Sequence, residues 1–162
     1  MVYLMTSLPS LSFDQAPPIS INEFNDEAKK QLSSRHFKLL QSTDIQKLET
    51  NVGVKSISSL LKDIKEDLSE VRKAKVQNRQ AKTERLPNAA LRGNPLEREL
   101  NIMRWQWQEL QDIEAGKTFS LTEVLVYKLK LQLVTRAFSF DEKQGAKVLA
   151  SVVNPGKNKE DK

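Results

Sequence analysis

The feature that most constrains this chain is the stretch 121–138, which carries apolar residues along two separate faces of one helix. At about 100° per residue, Val124, Tyr127, Leu131, Val134 and Phe138 make one stripe, and Val126, Leu129, Leu133 and Ala137 make another. Lys128, Gln132 and Thr135 lie between them on one flank, Glu123 and Lys130 on the other. A surface helix needs a single apolar stripe, so two stripes predict a helix packed between two layers. Each large apolar side chain fully buried contributes roughly 1.5–3 kcal/mol, which makes this segment the expected centre of the core.

The residues before it complete a helical hairpin. Asn94-Pro95 reads as N-cap and first helical position, and Glu97 stands where a capping box would close. Leu96, Leu100, Met103, Trp107, Leu110 and Ile113 recur at spacings of three and four and share a face. Ala115-Gly116 ends that helix, because glycine enters the left-handed region without a Cβ penalty. Lys117 and Thr118 fill the connection. Ser120 with Glu123 forms a second capping box, and Phe119 with Val124 a hydrophobic staple. So short a connection makes the two helices antiparallel neighbours.

Ahead of the hairpin lie an N-terminal arm, four helical segments and a linker. Residues 1–19 lack helical spacing despite Val2, Tyr3, Leu4, Met5, Leu8, Leu11 and Phe13, and Pro17-Pro18 stiffens their exit. They read as an extended arm strapped across a helix layer. Ser20 and Glu23 then cap a helix with Ile21, Phe24, Ala28 and Leu32 inward. Ser33-Ser34 breaks it, a short segment carries Phe37, Leu39 and Leu40, and Thr43 caps another with Ile45 and Leu48 inward, ending by Asn51-Val52-Gly53. Ser56 caps a long amphipathic helix with Ile57, Leu60, Leu61, Ile64, Leu68 and Val71 on one face. Lys62, Lys65, Glu66, Asp67, Glu70 and Lys73 fill the other, as a solvated face held by weak ion pairs. Residues 82–93 read as a linker broken by Pro87 and Gly93. Beyond the hairpin, Asp141 caps a last helix with Val148, Leu149 and Val152 inward, stopped at Asn154-Pro155-Gly156.

These readings give an all-α, single-domain helical bundle of about five to six helices with an extended N-terminal arm. The domain is expected over 1–154, with 155–162 a disordered tail. At 162 residues one domain suffices. Charged residues make up 29% and aromatics only 6%, which suits a modest core under a charged surface. No transmembrane run and no signal-peptide pattern is present. The chain has no cysteine, hence no disulfide or thiol chemistry, and a cytoplasmic location fits.

No catalytic constellation can be drawn. His36 has no second His and no Cys with which to share a metal, and the five glycines stand apart. The carboxylates Asp63, Glu66, Asp67 and Glu70 are interleaved with lysines, unlike paired acid–base residues. An enzyme is not expected, and neither a cofactor nor a metal.

Two surface features are candidates for partner binding. Trp105 lies about 200° around its helix from both Met103 and Trp107, so it leaves the main stripe, with Arg104 and Arg136 in its region. It is either covered by the N-terminal arm or an anchor for a partner. The second is the segment 72–85, where Arg72, Lys73, Lys75, Arg79, Lys82 and Arg85 face only Glu84. This one stretch accounts for the net charge of +5. It reads as a solvated helix end, helped by cations at a helix C-terminus, or as a binding surface. Interleaved aromatics and groove-reading motifs are missing, which weighs against nucleic acid.

Two segments carry a family resemblance. They are YLMTSLPSLSFDQAPPISINEF and NPLERELNIMRWQWQELQDIEAGKTFSLTEVLVYKLKLQLVTRAFSFDEKQG. The matching features are Tyr3, Ser7-Leu8-Pro9, Pro17-Pro18-Ile19-Ser20 and Phe24, then Trp105, Glu109, the run Tyr127 to Gln132, Arg136, Ser139-Phe140-Asp141 and Gly145. They resemble a bacterial family of undetermined function encoded with vacuolar/archaeal-type (V/A-type) rotary ATPases. Members of that family are thought to stand in for the all-helical socket protein that seats the central rotor shaft on the membrane rotor ring. The resemblance implies a cytoplasmic, non-catalytic adaptor at the inner face of the membrane, with the central stalk and rotor ring as partners. The chain is much shorter than the usual socket protein, which has several similar helical lobes, and no site residues come with the resemblance. The alternative from the residues alone is a small basic helical nucleic-acid-binding protein.

Overall fold

The computed structural model describes residues 1–48 and 53–153, with 141–153 as backbone. Every regular element among the described residues is helical: α1 (Val2–Ser7), α2 (Ile21–Gln31), α3 (Ser34–Ser42), α4 (Lys55–Val76), α5 (Pro95–Glu114) and α6 (Leu121–Val153), with a 3-10 turn at Asn88–Leu91. The all-α, single-domain reading holds. None of the helices is long and apolar enough to cross a membrane.

The capping boxes form where the spacing put them for α2 and α5. Ser20 Oγ accepts from Glu23 N while Glu23 Oε2 accepts from Ser20 N, and Asn94 and Glu97 exchange the same pair of bonds. Gly93, just outside α5, adopts φ +94°, and a Cβ there would run into the Glu97 carboxylate. The positive φ favours glycine at this corner. At the head of α6 the arrangement shifts by one residue. Ser120 Oγ accepts from Glu123 N, but the Glu123 carboxylate reaches back to Phe119 N instead of Ser120 N. Phe119 sits at φ 56° and remains 42% exposed, so the expected staple buries little of its ring.

α6 is the central rod. It packs against α5, α2 and α3, while α4 packs on α5 and α1 on α2. Both apolar stripes are covered: every residue from Val124 to Leu131 is buried, as are Leu133, Val134 and Ala137. Of the flanks between the stripes, Lys128 and Lys130 are buried, whereas Thr135 is exposed. Lys128 Nζ donates to the Leu40 carbonyl at 2.6 Å, in the last turn of α3, and Gln132 Oε1 accepts from Ile45 N at 3.0 Å. These two residues, one turn apart on α6, hold the chain as it leaves α3, where the carbonyls of a helix C-terminus favour a cation. On the other flank Lys130 pairs with Glu114 and lies 4.9 Å from the centre of the Trp107 ring.

Several expectations are corrected. The arm is not extended throughout, because residues 2–7 form α1, a helix too short to show a period in sequence. Residues 45–48 make a turn, not a short helix: Asp44 Oδ1 accepts from Gln46 N and Lys47 N, while the Thr43 hydroxyl points back to the Leu39 carbonyl. Of the stop placed at Asn51-Val52-Gly53, Asn51 and Val52 lie outside the described residues. α4 begins at Lys55 with Val54 as its N-cap, so Ser56 falls inside the first turn. α6 passes through Asp141 without a break, and Asp141 does not cap a separate helix. The side chains of Val148, Leu149 and Val152 and the tail from Asn154 lie outside the described ones.

The segment 82–93 is not a free linker. Asp67 on α4, grouped by spacing with solvated charges, is only 3% exposed. Its carboxylate accepts from the backbone N–H of Glu84, Arg85 and Leu86 at 2.9, 2.9 and 2.8 Å. Leu86 and Ala90 are buried in consequence, and the 3-10 turn packs on α5. A charge can be buried when its lone pairs are filled, and here three successive amides of the returning chain fill them.

Candidate interaction surface

Among the described residues no group of three or more His, Cys, Asp or Glu side chains could hold a metal. A shallow depression on α4 is lined by Lys62, Lys65, Glu66, Ser69, Glu70 and Lys73, all from one helix face. It is a surface trough, without converging groups from a second element. His36 is half-buried in the first turn of α3. The buried ionisable groups have structural partners. Tyr127 donates its O–H to the Pro9 carbonyl at 2.8 Å and stacks on Phe24, and burial pushes its phenol up to about 12. Burial likewise lowers the Lys128 ammonium, against the opposing pull of Asp44.

The sequence candidates separate into two groups. Arg104 lies 4.9 Å over the Phe13 ring and 3.2 Å from Asp14, so it holds the arm on α5. Phe13 also meets Trp107 edge-on at 5.8 Å. Trp105 is half-buried against the core. Arg136 binds Glu99 across the hairpin and lies over Phe140 at 5.7 Å. Each of these side chains has an intramolecular task. Arg79 belongs with them: its guanidinium forks onto Glu70 at 2.5 and 3.1 Å, and that hydrogen bond, with the Lys82 amide, holds the Glu70 carboxyl down to about 2. Arg85 lies between Asp63 and Glu109 at 3.4 and 3.5 Å.

Arg72, Lys73 and Lys75 form the second group. They are exposed at the C-terminal end of α4, beside Val76, which is 84% exposed. The structure thus divides the basic segment 72–85, tying Arg79 and Arg85 to carboxylates and leaving the helix end open. Sequence spacing could not show the division, because the carboxylates that Arg85 takes lie 22 residues before it and 24 after it, on two different helices.

Residues 89–159 match the model of a family described as a protein of unknown function (DUF2764). The matched stretch takes in α5 and α6, the hairpin that forms the centre of the fold. No curated protein and no solved structure matches the chain.

Proposed function

We propose that this chain is a non-catalytic accessory protein of a V/A-type rotary ATPase, an adaptor between the rotor shaft and the membrane ring, similar in role to the all-helical socket protein of those machines. Its partners are then central-stalk and rotor-ring proteins, and its place is cytoplasmic, peripheral at the inner face of the membrane. The family resemblance supplies the ATPase connection. The observation that supports an adaptor is where that resemblance falls: Tyr127 to Gln132 is the buried middle of α6, its polar groups spent on Pro9, Leu40, Glu114 and Ile45. A segment used this way specifies a scaffold and leaves function to surfaces.

The test is affinity purification of the tagged full chain from its own cells under gentle conditions. Stalk proteins of the rotary ATPase are expected to come with it. Recovery of the chain without them, or with nucleic acid in their place, overturns the proposal. The nucleic-acid alternative draws on the exposed Arg72, Lys73 and Lys75 and requires an affinity that falls steeply with salt as counterions are released.

A further inference from the structure

α4 is divided lengthwise. Ile57, Leu60, Leu61, Ile64 and Asp67 are buried on its inner side. At about 100° per residue, its outer side has an acidic half with Asp63, Glu66 and Glu70. The other half carries Lys55, Lys62, Lys65, Arg72 and Lys73, all five exposed. The chain returning after the helix reaches only the acidic half, at Asp63 and Glu70. Arg85 approaches Asp63, Arg79 forks onto Glu70, and the Lys82 amide donates to Glu70 at 3.2 Å.

On an ordinary solvated helix, carboxylates three or four residues away would serve the lysines. Here only Lys62 and Lys73 have a carboxylate at that spacing, Glu66 and Glu70, and Arg79 takes Glu70. Only Lys62 keeps a partner, Glu66 at 3.9 Å, with both side chains 64% exposed. Lys55, Lys65, Arg72 and Lys73 have no ion pair among the described residues. From Lys55 to Lys73 the cations run roughly 27 Å along one rigid helix, at 1.5 Å per residue. Val76 adds an exposed apolar side chain at the far end.

The geometry points to this strip as the docking face for an acidic helix of another protein, one with carboxylates at three- and four-residue spacing and an apolar residue to cover Val76. Two observations favour protein over nucleic acid. Glu66, exposed, lines the same trough as Lys62, Lys65 and Lys73, which suits a partner of mixed charge and disfavours an unbroken row of phosphates. The strip also carries no aromatic side chain on which bases could stack. The inference goes beyond the adaptor reading, because it fixes a surface and a partner chemistry whichever assembly supplies the partner.

The experiment is fluorescence anisotropy on the full chain with a labelled synthetic helical peptide, glutamate at each fourth and seventh position and leucine near one end. The strip variant Lys65→Glu/Arg72→Glu/Lys73→Glu should bind at least about tenfold more weakly, since like charges now meet across a close interface. The control Lys29→Glu/Arg35→Glu/Lys38→Glu makes the same change in net charge on α2 and α3, and should stay within about twofold because distant charges are screened. Matching thermal melts show that both variants fold. Equal losses in the two variants, or tighter binding of a DNA duplex of about 20 base pairs or of phosphatidylglycerol vesicles than of the peptide, overturn the inference. If ATPase stalk proteins still copurify with the strip variant at the unaltered yield, the strip fails as the docking face while the adaptor reading stands.

Discussion

The middle of α6 and the outer side of α4 both carry closely spaced lysines, and they use them in opposite ways. Lys128 and Lys130 are 5% and 6% exposed, one on the Leu40 carbonyl and the other on Glu114. Lys65, Arg72 and Lys73 stand in water, the first two with no carboxylate three or four residues away and the third with its Glu70 taken by Arg79. A lysine's role is thus set by what its helix faces. Between two layers it must find an acceptor, since an unpaired buried cation is costly. On an outer face it is free to meet another molecule.

That contrast can be tested by substitution. The largest effect is expected at Leu129, which is fully buried in the middle of α6. Leu129→Ala should cost about 2–5 kcal/mol through lost transfer energy and the cavity left behind, whereas Lys65→Ala on α4 should stay within about 0.5 kcal/mol. Urea denaturation measures both, and equal costs would erase the distinction. Asp67 comes next, as the inward-facing exception on α4. Asp67→Ala strands three backbone N–H groups and should cost about 3 kcal/mol. Faster hydrogen exchange should be concentrated at Glu84, Arg85 and Leu86; an unchanged exchange pattern would show that the returning segment does not depend on this carboxylate.

Smaller effects sharpen the picture. Tyr127→Phe keeps the stacking on Phe24 but loses the bond to Pro9, at about 1 kcal/mol. The readout is quicker proteolytic cleavage within residues 8–19. The smallest effect concerns pH. Glu70 is depressed from an ordinary 4.5 to about 2, chiefly by its hydrogen bond from Arg79. Its contribution is therefore present above pH 4.5 and lost as pH falls from there through about 2. The Lys82 amide resonance should shift across that window and stay still in Glu70→Gln.

How far the sequence carried the fold depends on the range of the interactions involved. The capping boxes of α2 and α5 and the double stripe of α6 were legible because each depends on residues within a few turns. Asp67 was not, since its spacing among lysines and glutamates matches a solvated face and the amides that fill it lie 17–19 residues on. The division of segment 72–85 was hidden for the same reason. Asp141 misled because Asp favours an N-cap only where the preceding residue has left the helix, and Phe140 has not. At the candidate surface, Arg104, Arg136 and Arg79 looked as available as Arg72 until Asp14, Glu99 and Glu70 were located beside them.

The bond from Tyr127 to the Pro9 carbonyl spans 118 residues of chain, and this sets an order of events during synthesis. A ribosome adds roughly 5–20 residues per second, so the N-terminal segment spends several seconds outside the tunnel before its seat on α6 exists. During that interval Leu4, Phe13 and Phe24 have no permanent cover, and a nascent-chain chaperone would find them available.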